Sequence, residues 1–472
     1  MGLNVTGKTI TDPLYGNINL TPLESRLVST RAFQRLHNVR QLGLGHLVFP
    51  SAGYSRFAHS IGACYNADRL LTAIEENQTA RTFDRGERQA FRVAALFHDL
   101  GHYPFSHTTE HAIKRYFREG IYKKAGTEET QGSLEIEEPP TAPPSYLDHE
   151  DTGKLIFLED PEIEEAFAAS GTISKADVQG VFLDEHLSTV ISSDLDCDRL
   201  DYLKRTALHS GAPYGAVDVE FIISKATVDD HGRFCFGHKA IRAADHLLVS
   251  RFYDFMQIPY QKTVAALEWS LEEAVIHLLR HRVLMLSEAD MSGMIGNGTW
   301  AEFDDGALLG LMRSALRNAT PGPADEIGFA HIAAVLQRKP AAIVYNWECL
   351  VDFMSNEQET REALLRYKVR DAAKDLSLDE RRFTVWKAPF KLSKAGPMLQ
   401  GSPEDRDYSD EEEQQLIHVI DGGPTSVPLI DLPNAVSHHL AKVRYRVLRV
   451  YYLARDSDSP EVLAKLRGAL AD

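Results

Sequence analysis

Over roughly the first 118 residues, apolar side chains recur at spacings of three and four, which predicts a series of amphipathic helices. Thr21-Pro22-Leu23-Glu24 has the layout of a helix start: a hydroxyl cap, Pro in the first turn and Glu at the third helical position. The apolar run from Glu87 to Phe97 predicts a helix that ends at His98-Asp99, because Gly101 and Pro104 do not continue it. Gly43 to Gly53 interrupts the series. Residues 1–20 read as an irregular arm with short β-like pieces such as Lys8-Thr9-Ile10. Residues 119–147 combine glycines, an acidic run and Pro139, Pro140, Pro143 and Pro144, and read as an exposed loop insertion. That insertion is either a lid beside a site or an unselected surface loop. Asp148 is placed to cap a helix opening at His149, and helices continue to about residue 290. Asp229-Asp230-His231-Gly232-Arg233 reads as a hairpin turn within them. Beyond residue 380 the period shortens, and Arg382–Lys387 and Arg444–Tyr452 read as strands. The expectation is a mostly α fold with a helical core over 1–290 and a smaller mixed α+β lobe over 291–472. No internal repeat is evident.

Composition narrows this only slightly. The chain has 472 residues, 43% hydrophobic and 25% charged, the profile of an ordinary globular protein with a large core. No apolar run approaches the roughly 18 residues of a membrane helix, so no membrane partner is expected. The four cysteines, Cys64, Cys197, Cys235 and Cys349, have no CxxC spacing and imply neither a zinc finger nor a disulfide framework. The start lacks a secretory layout, and a reducing cytoplasm fits best. Met1-Gly2 with Thr6 meets a loose myristoylation pattern, which reads as coincidence. A net charge of -17 argues against a nucleic-acid footprint while leaving room for a small anionic substrate in a locally basic pocket.

Candidate chemistry starts at His98-Asp99, a neutral imidazole beside a carboxylate at a helix end. Upstream, Arg56-Phe57-Ala58-His59-Ser60 adds a second His. Downstream, Asp194, Asp198 and Asp201 fall at helical spacing on one predicted face. The order His, His-Asp, distant Asp resembles the HD phosphohydrolase superfamily. Phe33-Gln34-Arg35-Leu36, Gln41-Leu42-Gly43, Val48-Phe49-Pro50 and His98-Asp99-Leu100-Gly101-His102 resemble, more narrowly, its deoxynucleoside triphosphate triphosphohydrolases. The resemblance is dense from about residue 10 to 270 and faint in the tail.

It implies a helical HD-domain core holding one divalent transition metal, Mn, Fe, Co or Ni, on His59, His98, Asp99 and Asp198, with Mg an option on the substrate phosphates. Such a set leaves coordination positions for water and a phosphate oxygen. His102 and His149 match the family's catalytic pair, and Glu110 matches an acidic residue that orients a His. His107 and Glu110 share a helical face if Ser106 caps a new helix. Gln41 and Leu42 match a pair that reads the sugar; Arg56, Arg199 and Tyr202 match phosphate contacts; Tyr260 matches a Tyr flanking sugar and base. His107 joins these as a substrate-side candidate. Thr206 departs from the family, which often has an Asp there to hold the sugar. Ser29 and His37 stand where animal members of this family have the Asp and Arg of an activating guanine site. The implied function is a metal-dependent nucleotide phosphohydrolase, a dNTP triphosphohydrolase foremost, that forms a homo-oligomer, dimer or tetramer. The alternatives are a phosphohydrolase or phosphodiesterase of another nucleotide, and a nucleotide-binding HD module without catalysis.

Overall fold

The computed structural model describes residues 7–78, 81–118, 148–318, 326–352, 355–388 and 415–471. The proline-rich stretch 119–147 and the Met1-Gly2 pattern lie outside the described residues. The fold is mostly α, with small sheets concentrated toward the C-terminal region.

Helices start where the sequence supplies caps. Thr21 and Glu24 form a reciprocal capping box on helix Pro22–Leu27. Ser55, Asp84, Asp148 and Asp196 accept backbone N–H bonds at the starts of Arg56–Asn77, Arg85–Phe97, His149–Glu159 and Cys197–Ser210. These helices, with Ile241–Gln257 and Lys262–Arg280, enclose the main hydrophobic core. Helices from Glu288 onward join that core through Met291, Leu308 and Ile332, and the chain returns to it at Leu416 to Ala435.

The arm near the N-terminus is more regular than expected. Thr9–Asp12 and Gly16–Asn19 pair antiparallel with Ile10 opposite Ile18, and Gly16 takes φ 71° at the turn. Ala226–Val228 and Phe234–Phe236 form the expected hairpin, which His418–Ile420 extends by parallel pairing. Phe383–Lys387 and Val443–Tyr452 are strands and pair antiparallel. A strand absent from the sequence reading, Ala342–Asp352, flanks Val443–Tyr452 on its other side along almost its whole length. Helices Glu357–Asp375 and Pro460–Leu470 cover this sheet, burying Val344, Leu365, Leu448 and Leu466 as a second core.

Candidate active site

The chemistry-bearing residues stand at helix ends, where backbone groups and side chains are available to a ligand. His59 occupies the first turn of Arg56–Asn77, His98 the C-terminal cap of Arg85–Phe97, and Asp198 the first turn of Cys197–Ser210. The three ends meet. His59 Nε2 lies 2.9 Å from Asp198 Oδ1, 3.3 Å from His98 Nε2 and 3.6 Å from Asp99 Oδ2. His98 Nε2 lies 3.5 Å from Asp99 Oδ1 and 3.7 Å from Asp198 Oδ1.

Outer hydrogen bonds set the tautomers. His59 Nδ1–H donates to Asp201 Oδ2 at 2.7 Å and His98 Nδ1–H to the Ala95 carbonyl at 2.7 Å. Both Nε2 lone pairs therefore point inward, the arrangement of metal-ligating histidines. Burial pushes His59 down, but Asp198 and Asp201 overcome it and raise it to about 10. Carboxylates that stabilise an imidazolium here also stabilise a divalent cation. Two inward imidazoles and two carboxylates fit a borderline-to-hard metal, so the residues expected to hold one are brought together.

Asp194 departs from the expected shared face. It precedes the helix and pairs with Arg199 Nη1 at 2.8 Å and Arg251 Nη1 at 3.6 Å. Asp201 does share the face of Asp198, but supports His59 from behind. Arg205 grips Asp201 with two bonds of 2.8 Å and reaches Asp12 of the N-terminal hairpin at 2.8 Å. Neither Arg205 nor Asp12 had a motif to mark it.

The second group adjoins the first. His149 Nδ1 lies 2.9 Å from Glu110 Oε2, and Lys114 also bonds Glu110. The His149 ring stacks on His102 at 3.9 Å and 14°. His102 Nε2 faces Asp99 Oδ1 at 3.1 Å, and burial together with Arg56 and His149 keeps its pKa well below the usual range. His107 shares the face of Glu110, its Nδ1 3.6 Å from Oε2, with a side chain that is mostly exposed. Ser106 does not cap that helix with its hydroxyl. It takes φ 58°, donates to the Arg40 carbonyl and accepts from Arg56 Nε at 2.9 Å.

Gln41, Leu42, Arg56, His98, Asp99, His102, His107, His149, Asp198, Arg199, Tyr202 and Tyr260 all line one cavity of about 1190 Å³. His59 and Glu110 stand behind its wall. Arg56 is buried and bonds Asp99 at 2.5 Å, and Arg199 bonds Asp194 at 2.8 Å, while both line the cavity. Thr206 is buried against the Tyr54 hydroxyl at 2.7 Å. Arg251, Asp254 and Glu268 also line the cavity, and sequence reasoning passed over all three because no local pattern marks them.

Residues 56–163 match the HD domain family. This chain carries an HD domain. The matched stretch starts with the helix bearing His59, includes the helix bearing His149 and ends in the first turn of Pro161–Ser170. The chain is 29% identical to an uncharacterised protein of Methanocaldococcus jannaschii over 65% of its own length and 55% of that protein's. It is 45% identical to the human deoxynucleoside triphosphate triphosphohydrolase SAMHD1 over 102 residues, 22% of this chain and 16% of the relative. It spans little over half the length of its bacterial and archaeal curated relatives. A hypothetical protein from Aquifex aeolicus shares the fold, with TM-score 0.67 and 22% identity over 98% of this chain and 99% of that one.

Proposed function

We propose that this HD-domain protein is a metal-dependent nucleotide phosphohydrolase whose substrate is a deoxynucleoside triphosphate, cleaved by water into deoxynucleoside and triphosphate. The observation that carries the reading is the convergence of His59, His98, Asp99 and Asp198 beside the Glu110–His149 pair at the wall of one cavity. A divalent ion held there would polarise a phosphate oxygen and lower the pKa of a water. Water attacks the α-phosphorus, the bond to the 5′-oxygen breaks, and that oxygen leaves with a proton. His149 is the acid for this step: Glu110 takes its Nδ1–H and stabilises the imidazolium, leaving Nε2–H to donate. His102 sits against Asp99 and under His149, a positioning residue for both. Arg199 and Tyr202 hold phosphate oxygens; Gln41 and Leu42 face the sugar, Leu42 crowding a 2′-hydroxyl; Tyr260 flanks the nucleoside. His107, on the rim, is a substrate contact. A homo-oligomer working in the cytoplasm belongs to the same proposal.

Thr206, turned to Tyr54 rather than into the cavity, favours the second reading, a phosphohydrolase of another nucleotide. The test is a panel of deoxy- and ribonucleotides incubated with Mn, Co, Ni and Mg. Turnover of deoxynucleoside triphosphates well above ribonucleotides supports the first reading. Equal rates on ATP and dATP overturn it in favour of the second.

A further inference from the structure

Val264, Glu268 and Glu272 lie four residues apart on one face of helix Lys262–Arg280 and line the cavity. Glu272 is paired with Arg115 at 2.9 Å. Glu268 is not paired: among the described residues its carboxyl has neither a hydrogen-bond nor an ion-pair partner. Its Oε1 lies 3.8 Å from where a Cβ on Gly43 would be, so it borders the Gln41-Leu42-Gly43 turn. Gln41 Oε1 in that turn is buried and also lacks a partner among the described residues. A half-buried carboxyl on the wall of a cavity, with no protein partner among the described residues, is open to one from a ligand.

The cavity is electrically lopsided. Arg56, Arg199 and Arg251 line it together with the metal-ligand set, whereas burial and the neighbouring Glu272 dominate the surroundings of Glu268 and push it up to about 8. In the nucleotide reading the phosphates lie at the metal-ligand set, which leaves the neutral nucleoside the Glu268 end of the cavity. A carboxyl that keeps its proton offers one donor and one acceptor side by side. Every nucleobase carries an edge with an acceptor next to an N–H donor, and the carboxyl proton sits on either oxygen to match it.

We propose that Glu268 recognises the hydrogen-bonding edge of the nucleobase with its carboxyl, accepting all four bases but not a ring that lacks such an edge. The inference rests on the nucleotide reading of the site. The experiment compares the four natural deoxynucleoside triphosphates with the triphosphate of deoxyribosyl benzimidazole, a purine-shaped base whose six-membered edge carries only C–H groups. Turnover is measured with the metal-loaded protein, and binding by calorimetry, for wild type, Glu268→Gln and Glu268→Leu, with melting curves for each. Wild type should favour the natural bases over benzimidazole by about tenfold or more, the worth of one bidentate contact, and treat the four alike within about tenfold. Glu268→Gln, whose amide also offers a donor beside an acceptor, should keep the preference. Glu268→Leu should erase it while still melting cooperatively. A folded Glu268→Leu protein with the wild-type preference overturns the proposal, as does a wild type indifferent to benzimidazole. Should wild type bind the nucleotides without hydrolysing them, the catalytic reading fails and the binding ratios still decide the role of Glu268. Failure of every nucleotide to bind overturns both.

Discussion

His98 and Asp99 owe their chemistry to neighbours that fix which atom faces inward. The Ala95 carbonyl takes the outer proton of His98, and Arg56 and His102 hold the two oxygens of Asp99. Burial would push Asp99 up, but Arg56, His98 and His102 keep it well below the usual carboxylate range, so it is a ready ligand. Replacing His98 or Asp99 with Ala should therefore remove bound metal and turnover together while leaving helical circular dichroism unchanged. Metal retained at wild-type stoichiometry in His98→Ala would refute the ligand assignment. His149→Ala should behave differently, losing about 10² to 10⁴ in rate with metal content intact. Loss of a metal equivalent from His149→Ala would instead make it a ligand. Much of this was legible in the sequence, since His98-Asp99 and the His59 segment are contiguous motifs. The partners of Arg56 were not: it bonds Asp99 and Ser106, a pairing that only the meeting of separate segments creates.

At the scale of elements, two close approaches hold the helix ends in register. A Cβ on Gly62 would lie 2.6 Å from Arg205 Nη2 and closer still to the Asp201 carboxylate, so the glycine lets helix Cys197–Ser210 press onto helix Arg56–Asn77. A Cβ on Gly101 would collide with the His149 carbonyl and the Gly153 backbone, so that glycine sets the distance between the HD turn and the helix bearing His149. Gly62→Ala should cost about 1–3 kcal/mol as an overpacked site and loosen metal through Asp201, read as a lower melting temperature and a faster loss of metal to a chelator. An unchanged melting temperature would mean the helices are not in this contact. Gly101 was legible as a helix stop, but not as a packing contact, because its partner lies about fifty residues away. Strand Ala342–Asp352 was missed for a related reason. Asn346, Glu348 and Cys349 blur its alternation, and its register is imposed by Val443–Tyr452.

For the whole molecule, the N-terminal hairpin and the deep support of the site form one ionic chain, Asp12 to Arg205 to Asp201 to His59. Ahead of the HD domain, the positions matching the guanine site are otherwise engaged. Ser29 Oγ accepts from Lys8 Nζ at 2.6 Å, and His37 stacks on Phe57 at 3.7 Å, with burial lowering its pKa. Two charge-assisted contacts worth about 1.5–3 kcal/mol each are thereby missing, so sub-millimolar GTP should leave turnover unchanged. Strong GTP dependence, lost on changing His37, would show that an activator site exists there. The most direct test of the hydrolytic account is product analysis by mass spectrometry after hydrolysis of a deoxynucleoside triphosphate in heavy-oxygen water. Attack at the α-phosphorus predicts intact triphosphate carrying the heavy oxygen and an unlabelled deoxynucleoside. Pyrophosphate or phosphate as the first product, or label in the nucleoside, would contradict it.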